Sequence, residues 1–296
     1  MKTVFERIQA GEILLADGGM GSLLMQRGLK HGSCPEAINL ESPEIPAEIA
    51  KLYADAGSDM VQSNTFGASP LKLAEYGLAD KTEEINRAAV TIAKKAVGNS
   101  VYVYGSCGPC GQILQPFGTA SPDDVFEGFK RQISAMVAAG VDLIGIETMT
   151  DLNEALLAVK AARAVSDEIT VMTTMTFEDT PRGFFTIMGN TIANAAAALE
   201  EAGADLIGSN CGNGLEKMIR IAAEFKAVSK LPLIIQSNAG LPVNKAGQLH
   251  YPETPDFFGE KVSKLISAGV SVIGGCCGTT PETIRAMRTA LTKLKK

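Results

Sequence analysis

The sequence predicts an α/β protein with a single (β/α)8 TIM barrel over residues 1–296, and three observations support this fold class. A weak repeat, Ala-Gly followed by an apolar run, recurs four times along the chain. Four further short apolar runs bring the number of expected buried strands to eight. Helical patterns fill most of the gaps between the strands, and no linker rich in Pro, Gly or Ser marks a second domain.

The repeat marks the places where a helix passes into the next strand. In each copy an Ala-rich helical stretch ends at a glycine, which tolerates the left-handed conformation that often follows a helix. The apolar run after the glycine is too short for a helix and suits a buried parallel strand. The copies that supply strands two, four, six and eight begin at Ala56, Ala139, Ala202 and Ala268. Three copies start the strand with an aspartate, at the stability face of the barrel, and we interpret these as structural: Asp59, Asp142 and Asp205.

The other four apolar runs supply the odd-numbered strands. They cover residues 13–19, 101–108, 170–177 and 233–238. Two stretches are interpreted as loops or extended connections over the mouth of the barrel, the end at which the strands finish. They are the long gap between the first two strands and the segment 178–192.

Composition and charge exclude several classes of function. A hydrophobic content of 46% is ample for a buried core, and a net charge of −6 offers no basic surface for nucleic acid or anionic lipid. The chain has neither a secretory apolar core near its start nor a long apolar run, so we expect a cytoplasmic protein that does not bind membranes. Six cysteines are too few for a disulfide scaffold and are expected to be thiols that are free to bind metal.

The residues at the strand ends indicate where the chemistry lies, because barrels of this kind carry their active sites at the carboxyl ends of the strands. These residues are thiols, acids, amides and a hydroxyl, with no lysine for a Schiff base. They are Asp17, Asn64, Cys107, Glu147, Thr176, Cys211, Asn238, Cys276 and Cys277. The two histidines, His31 and His250, lie in polar segments typical of loops, so we expect no histidine general base.

Three of the thiols are predicted to meet, because only strand seven lies between strands six and eight. They are Cys211, Cys276 and Cys277. Neighbouring residues of a regular strand point to opposite faces, so two adjacent ligands require the strand to end there. Three glycines permit this break: Gly274, Gly275 and Gly278. Thr280 and Pro281 then predict the start of a helix, whose amino end would favour negative thiolates.

Three thiolates suit zinc, and a set of three protein ligands leaves the fourth position open, as in catalytic zinc sites. Such a site is already negatively charged, which favours a further thiol ligand over activation of water. A substrate thiol bound there would lose its proton and remain nucleophilic at neutral pH. Methyl transfer to sulfur is the reaction that this arrangement favours.

Other interpretations of these residues stay open. The cysteines could be small buried apolar residues, or the last glycine-rich turn could bind phosphate, as barrels often do after strands seven and eight. Cys107 and Cys110 have the spacing of a redox or zinc-hairpin motif, although a Gly/Pro-rich turn with incidental thiols is the preferred interpretation. Cys34, before a proline in a loop, is interpreted as incidental. Asp17 and Glu147 could be structural acids held by backbone amides.

Several motifs together give the sequence a family resemblance over nearly its whole length. They are "LADGGMGSLLMQRG", "GSDMVQSNTFGAS", "GSCGP", "ETMTDLNEALLA", "GSNCGNG", "SNAG" and "GGCCGTTPE". With these motifs the chain resembles the homocysteine S-methyltransferase family. Within that family it is similar to the homocysteine-binding module of cobalamin-dependent methionine synthase.

The resemblance implies a role for each residue that matches the family motifs. It implies that zinc is bound by Cys211, Cys276 and Cys277. Asp17 and Glu147 would hold the ammonium group of homocysteine, and Asn238 would be a possible extra metal ligand. Backbone donors for the substrate carboxylate would come from Gly18, Gly19 and Met20.

The expected function is therefore zinc-dependent methyl transfer to homocysteine in methionine biosynthesis. Because the chain ends after the first module of the resembling enzyme, the methyl donor is expected to be a separate methyl-corrinoid protein, so that methylcobalamin acts only through a partner. S-methylmethionine or S-adenosylmethionine is the alternative donor. Two alternatives lie in other classes: a non-catalytic zinc- or thiol-binding subunit of a corrinoid methyltransferase complex, and a phosphate-binding isomerase or aldolase.

Overall fold

The computed structural model describes residues 2–30, 32–245 and 248–294. His31, Ala246 and Gly247 lie outside the described residues, as do Met1 and residues 295–296 at the ends of the predicted domain. The expectation that residues 1–296 form one domain stays a prediction.

Eight parallel strands form the barrel, and each lies where an apolar run predicted it. These strands are β1 (Leu14–Leu15), β2 (Met60–Gln62), β3 (Tyr102–Cys107), β4 (Leu143–Met149), β5 (Thr170–Met175), β8 (Leu206–Asn210), β9 (Leu233–Ser237) and β12 (Val270–Gly275). Two antiparallel hairpins accompany them: β6 (Glu178–Thr180) with β7 (Gly183–Phe185), and β10 (Val243–Lys245) with β11 (Gln248–His250). The prediction of an α/β (β/α)8 barrel is confirmed.

Backbone and side-chain hydrogen bonds close the barrel between its first two strands. The ladder runs in the order β1, β12, β9, β8, β5, β4, β3, β2. At the remaining seam the Asp59 N–H donates to Leu15 O at 2.6 Å, and the Leu15 N–H donates to Asp59 Oδ2 at 2.8 Å. Further along, the Gln62 N–H donates to Asp17 Oδ2 at 2.9 Å. Two aspartates therefore complete the ring of strands.

Helices surround the barrel. They are α1 (Val4–Gln9), α2 (Met20–Gln26), α3 (Ile38–Glu41), α4 (Glu44–Asp55), α5 (Pro70–Ala74), α6 (Thr82–Val97), α7 (Pro122–Ala138), α8 (Leu152–Val165), α9 (Ile192–Ala202), α10 (Leu215–Val228), α11 (Pro255–Ser267) and α12 (Pro281–Leu294). Two short 3-10 helices cover Pro35–Ala37 and Ala79–Lys81. The start of α7 shows how sequence sets these bounds: Ser121 Oγ accepts the Asp124 N–H at 3.1 Å, and Pro122 occupies the first helical position. No helix among the described residues is long and apolar enough to cross a membrane.

The strands alternate between two buried surfaces, as the period of two requires. One set of side chains fills the barrel interior and includes Leu14, Met60, Tyr104, Leu143, Met172, Leu206, Ile234 and Val272. Helix α1 covers the amino end of this interior with Val4, Phe5 and Ile8. The alternate strand residues face outward and pack under the helices, so the barrel is a solid core whose polar groups gather at its ends.

The connection between β1 and β2 differs from its expected loop. It contains α2, a 3-10 helix, α3 and the twelve-residue helix α4. Pro46 lies in the first turn of α4, where a backbone N–H has no partner within the helix, so this proline does not interrupt it. The segment 178–192 is extended, as expected, but its first half pairs with itself as the β6–β7 hairpin.

The three aspartates of the repeat join neighbouring strands at the amino end of the barrel. Besides the contacts of Asp59, Asp142 Oδ2 accepts the Val103 N–H at 2.6 Å, and Asp205 Oδ2 accepts the Val171 N–H at 2.7 Å. Each also pairs with a cation: Asp59 with Arg7 and Arg288, Asp142 with Lys94, and Asp205 with Arg163. Their interpretation as structural residues is confirmed.

Candidate active site at the carboxyl ends of the strands

Three cysteine side chains meet at the mouth of the barrel. Cys211 follows the last residue of β8, and Cys276 and Cys277 follow the last residue of β12. The three sulfur atoms lie within 4.8 Å of one another, and Cys211 Sγ and Cys277 Sγ are 4.0 Å apart. Two strands that are distant in sequence therefore bring their thiols to one point, as the strand count predicted.

The backbone leaves strand geometry at these residues, which lets the sulfur atoms face each other. Cys211 has a φ of +59°, in the left-handed region that side chains seldom adopt. The Cys276 N–H still continues the ladder, donating to Ser237 O at 2.7 Å, whereas the Cys277 N–H donates to Asn238 Oδ1 at 3.1 Å. The strand thus ends between the two adjacent cysteines, and both can contribute to one cluster.

Gly278 makes the turn after the cysteine pair possible. Its φ is +79°, and a Cβ atom at this position would lie 2.2 Å from the ring of Tyr251. Its N–H donates to Ser22 Oγ at 3.0 Å, which fixes the turn against α2. Only glycine meets both the backbone and the space requirement here.

The protonation of the three thiols is linked. Hydrogen bonds from Cys276 and Cys277 lower the pKa of Cys211, so its thiolate is favoured. The hydrogen bond to Cys211 and burial raise the pKa of Cys276. A cluster in which one thiolate is already favoured attracts a cation. A bound cation would in turn allow the other two thiols to ionise.

The arrangement of the sulfur atoms fits a tetrahedral thiophilic metal ion. Three sulfur ligands at about 2.3 Å from a tetrahedral zinc ion lie about 3.8 Å apart. The observed separations, 4.0 Å for one pair and at most 4.8 Å for the others, need only small rotations of the side chains to reach this value. The soft donors of Cys211, Cys276 and Cys277 would leave one tetrahedral position for a further ligand.

A cavity of about 280 Å³ opens beside the cysteines. The cysteines, Glu147 and Thr148 line one side, and the start of α2 lines another. The third side comes from the 3-10 helix at Pro35 and from residues 62–66 after β2. The volume suits a small polar molecule, because pockets for drug-sized ligands begin at about 300 Å³.

Glu147 is a buried acid at the border between the cavity and the cysteines. Ser106 Oγ donates to Glu147 Oε1, and Asn210 Nδ2 lies 3.5 Å from Glu147 Oε2. No Lys or Arg in the described part of the chain forms an ion pair with it. Burial raises the pKa of Glu147 to about 7. A cationic group of a ligand would stabilise this carboxylate.

A sequence model of the homocysteine S-methyltransferase family matches residues 14–291, which span the whole barrel. The chain belongs to the homocysteine S-methyltransferase family. The resemblance that the sequence motifs indicated is thereby confirmed, and it holds for the segments that carry the cysteine cluster and the cavity.

Two curated relatives of this family member are methionine synthases. The protein from Mycobacterium leprae (strain TN) is 32% identical over 303 residues, and that from Mycobacterium tuberculosis (strain ATCC 25618 / H37Rv) is 31% identical, each covering 96% of this chain. The chain spans a quarter of the length of each relative. A metallated form of the homocysteine methyltransferase MmuM from Escherichia coli has the same fold, with a TM-score of 0.80, 22% identity and coverage of 96% of this chain and 98% of that chain.

In this homocysteine S-methyltransferase family member, Asp17 lies below the cavity and not in its lining. Its side chain is fully buried and accepts hydrogen bonds from the Gln62 N–H at 2.9 Å and from Tyr104 Oη at 2.9 Å. Burial raises the pKa of Asp17 to about 7. Gln62 lines the cavity and also contacts Asp17: its Nε2 lies 3.4 Å from Asp17 Oδ1 and donates to Gly18 O at 2.8 Å. The predicted ammonium contact of Asp17 stays a prediction.

The glycine-rich turn of the family lies in the cavity wall. Gly18, Gly19 and Met20 all line the cavity. The Gly19 N–H donates to Thr279 Oγ1 at 3.2 Å, whereas α2 begins at Met20 and its first N–H groups have no partner within the helix. Of the three predicted donors, the Gly19 N–H is therefore already bonded within the protein, and the predicted contact with a substrate carboxylate stays a prediction.

The remaining strand-end residues divide between the cavity and the core. Asn64 lines the cavity, whereas Asn238, Thr176 and Cys107 do not. Asn238 Oδ1, the atom that would bind a metal, accepts the Cys277 N–H. His250 is exposed at the end of the β10–β11 hairpin.

Cys107 and Cys110 belong to the hydrophobic core and not to the cavity. Both are buried, and the Cys110 N–H donates to Glu154 Oε1 at 2.7 Å. Burial raises the pKa of both thiols, and a protonated thiol is a poor nucleophile and metal ligand. The structure therefore agrees with a turn that contains incidental cysteines.

Sequence reasoning missed Glu36, a buried acid in the cavity wall. Glu36 Oε1 accepts the Gly67 N–H at 2.7 Å, and Cys34 Sγ lies 3.4 Å from Glu36 Oε2. Burial raises the pKa of Glu36. The residue lies on a 3-10 helix in a segment interpreted as a loop, so no periodic pattern indicated its position. Cys34, interpreted as incidental, supports this acid.

Proposed function

We propose that this protein transfers a methyl group to the thiol of homocysteine and releases methionine, with zinc held by Cys211, Cys276 and Cys277. The observation that carries the proposal is the meeting of three thiols with a buried, uncompensated acid around one small cavity. Homocysteine carries the two groups that this arrangement suits, a thiol and an ammonium, a few bonds apart. In the reaction a sulfur–carbon bond forms, and the bond between the methyl group and its donor breaks.

The metal end of the site would be held by the three cysteines. When bound, zinc would accept the substrate sulfur at its open position and keep it as a thiolate at neutral pH. Cys211, Cys276 and Cys277 are each partly exposed, so a substrate sulfur can reach the position that they surround.

The amino-acid end of the substrate would lie against Glu147 and α2. Glu147 has no cationic partner among the described residues, and its burial makes an ammonium a favourable one. The first turn of α2, from Met20, presents N–H groups and a positive helix end to the substrate carboxylate. Asp17 would join Glu147 at the ammonium group or act through Gln62, which it contacts and which lines the cavity. Asn238 would become an extra ligand only by sharing the oxygen that accepts the Cys277 N–H.

The size and rim of the cavity support a protein-borne methyl donor. A volume of about 280 Å³ holds an amino acid but not a corrinoid as well, so such a donor would present its methyl group at the mouth. Large apolar side chains are exposed on the connections around the mouth, notably Phe66, Ile113, Phe117, Ile187, Met188 and Leu241. Apolar surface of this kind is typical of interaction sites. A methyl-corrinoid protein is the proposed partner, with S-methylmethionine or S-adenosylmethionine as the alternative donor.

The proposal includes a cytoplasmic location. The metal site would need its three cysteines as thiols, which is the state that a reducing compartment maintains.

Metal analysis combined with a donor assay tests the proposal. The purified protein is expected to contain near-stoichiometric zinc and to form methionine from homocysteine. Cys276→Ser is expected to lose both zinc and activity, because serine is a poor zinc ligand. Cys34→Ser is the matched control and should keep both, since its hydroxyl can still donate to Glu36.

Each possible outcome has a clear meaning. Protein without stoichiometric zinc would contradict the proposal. Methylcobalamin, S-methylmethionine and S-adenosylmethionine are offered in parallel, and activity with a free sulfonium donor alone would reverse the order of donors. Zinc binding without methyl transfer from any donor would favour the non-catalytic subunit.

A further inference from the structure

We infer that Asn210 is a positioning residue for the metal centre, because its side-chain amide donates a hydrogen bond to the sulfur atom of Cys276. The inference rests on the proposed function, since it assigns a role in holding zinc. Asn210 is the last residue of β8 and immediately precedes Cys211. It is completely buried, so no bulk water competes for its hydrogen bonds.

A backbone N–H fixes the orientation of the Asn210 amide, and a hydroxyl group contacts the same oxygen. The Thr148 N–H donates to Asn210 Oδ1 at 2.7 Å, and Thr174 Oγ1 lies 2.8 Å from the same oxygen. A backbone N–H can only donate, so the atom that faces it must be the amide oxygen. The nitrogen Nδ2 therefore points to the opposite side, towards the cavity and the cysteines.

The two hydrogens of Asn210 Nδ2 have distinct partners. One is donated to Thr148 Oγ1 at 2.8 Å. The other is directed between Glu147 Oε2, at 3.5 Å, and Cys276 Sγ, at 3.8 Å. Both of these acceptors are negatively charged when ionised. An ammonium group on Glu147 would compensate that carboxylate, which leaves the amide hydrogen to the sulfur.

The same amide holds a strained piece of backbone in place. Thr148 and Cys211 both have positive φ values, +61° and +59°, and one adjoins Glu147 while the other adjoins Asn210. Asn210 binds both the N–H and the hydroxyl of Thr148. Strained residues persist only where surrounding contacts determine them, and they concentrate at functional sites. The Asn210 amide thus holds the strained backbone at Thr148, beside Glu147, in its position.

A hydrogen bond to a thiolate ligand lowers the negative charge that the sulfur carries. Three thiolates repel one another around one ion, so a donor at Cys276 makes the full set easier to assemble. Partners that support metal ligands in this way typically affect metal affinity about 10- to 100-fold. Asn210 would act through Cys276 and would not touch the reacting atoms.

Asn210→Asp is the sharpest test, because it preserves shape and the Oδ1 acceptor but replaces the donor that faces Cys276 with an oxygen. The zinc dissociation constant, measured by competition with a chelator, is expected to rise about 10- to 100-fold. In the cobalt-substituted protein the sulfur-to-cobalt charge-transfer band should shift. Thr174→Val is the matched control: it removes one hydrogen bond to the amide oxygen but leaves the Thr148 N–H, which sets the orientation of the amide, so both readouts should stay close to wild type.

A second variant decides the question if Asn210→Asp does not fold. Thr148→Val removes the hydroxyl that accepts a hydrogen bond from Asn210 Nδ2. The backbone strain at this position should stay the same, because valine and threonine are both β-branched. The zinc dissociation constant of Thr148→Val is expected to rise, but by a smaller factor than that of Asn210→Asp. The charge-transfer band of the cobalt-substituted variant should shift in the same direction as in Asn210→Asp. Wild-type zinc affinity and an unchanged band in the folded variants would overturn the role of Asn210. Wild-type protein that binds no zinc would instead contradict the proposed function.

Discussion

The two ends of the barrel use acidic residues in different ways: the aspartates at the amino end are partly exposed, whereas the acids at the mouth are buried. At the amino end, Asp59, Asp142 and Asp205 each accept a backbone N–H from the neighbouring strand and also pair with Lys or Arg. At the mouth, Glu147 and Asp17 also accept protein donors, but neither forms an ion pair in the described residues. The ion-paired aspartates at the amino end contribute to stability. The acids at the mouth, without an ion pair among the described residues, would be stabilised as carboxylates by a cationic ligand.

Backbone strain follows the same division. Among the described residues, the non-glycine positions with positive φ are Thr148 and Cys211, and both lie at the mouth. At the amino end each repeated aspartate meets its neighbouring strand in the same way, with its N–H donating to a backbone carbonyl of that strand. Strain at the mouth is tolerated because the rest of the barrel is well compensated.

The largest effect that separates the two ends is expected for Glu147→Gln. Glutamine keeps the shape but removes the charge that is proposed to hold the ammonium group of homocysteine, and loss of a buried charge partner costs about 2–5 kcal/mol of binding. The kcat/KM for homocysteine should fall at least about 30-fold, since 1.4 kcal/mol corresponds to a factor of ten. Steady-state kinetics at saturating donor measures this effect.

Two controls make the Glu147 result specific. Transfer to 4-mercaptobutyrate, which is homocysteine without its amino group, should be almost unaffected by Glu147→Gln. Asp142→Asn at the amino end should show the reverse pattern, with normal kcat/KM and a lower free energy of unfolding. Equal losses with both thiols would mean that Glu147 does not hold the ammonium group.

A smaller effect concerns the pH dependence of stability through Asp17. Burial raises the pKa of Asp17 from 3.8 to about 7 in the folded protein. The folded state then binds more protons than the unfolded state between these values, so stability falls as pH rises from about 4 to about 7. In Asp17→Asn this part of the decline should be absent. Urea unfolding of zinc-free wild type and variant across that pH range measures the difference in slope, and parallel slopes would show that Asp17 ionises normally.

The barrel and the cysteine cluster could be predicted from the sequence because both depend on strand ends. Short apolar runs after glycine define the strands, and strand order then brings Cys211 to the Cys276–Cys277 pair. The direction of the Asp17 side chain could not be predicted in this way. It follows a two-residue strand, and beyond a strand end the alternation of side chains no longer holds.

Other parts of the site depend on contacts between distant segments. Glu36 reaches the cavity because a 3-10 helix between β1 and β2 packs on Gly67, and nothing in the local pattern around Glu36 indicates that contact. The role of Asn210 depends on Thr148, which belongs to another strand and binds both Oδ1 and Nδ2 of its amide. A helix that carries a proline in its first turn, such as α4, is likewise difficult to distinguish from a loop by pattern alone.

The smallest expected effect concerns the exposed apolar side chains around the mouth, such as Phe117. It compares the exposed surfaces of the two ends of the barrel instead of their charges. Phe117 is 80% exposed on the connection after β3, whereas Val228 is 48% exposed at the end of α10, away from the mouth. Exposed aromatic residues gain binding energy only when a partner covers them. Phe117→Asp should therefore raise KM for a methyl-corrinoid protein about tenfold or less and leave transfer from free methylcobalamin unchanged. Val228→Asp should alter neither, and an equal loss in both variants would remove the mouth as the docking surface.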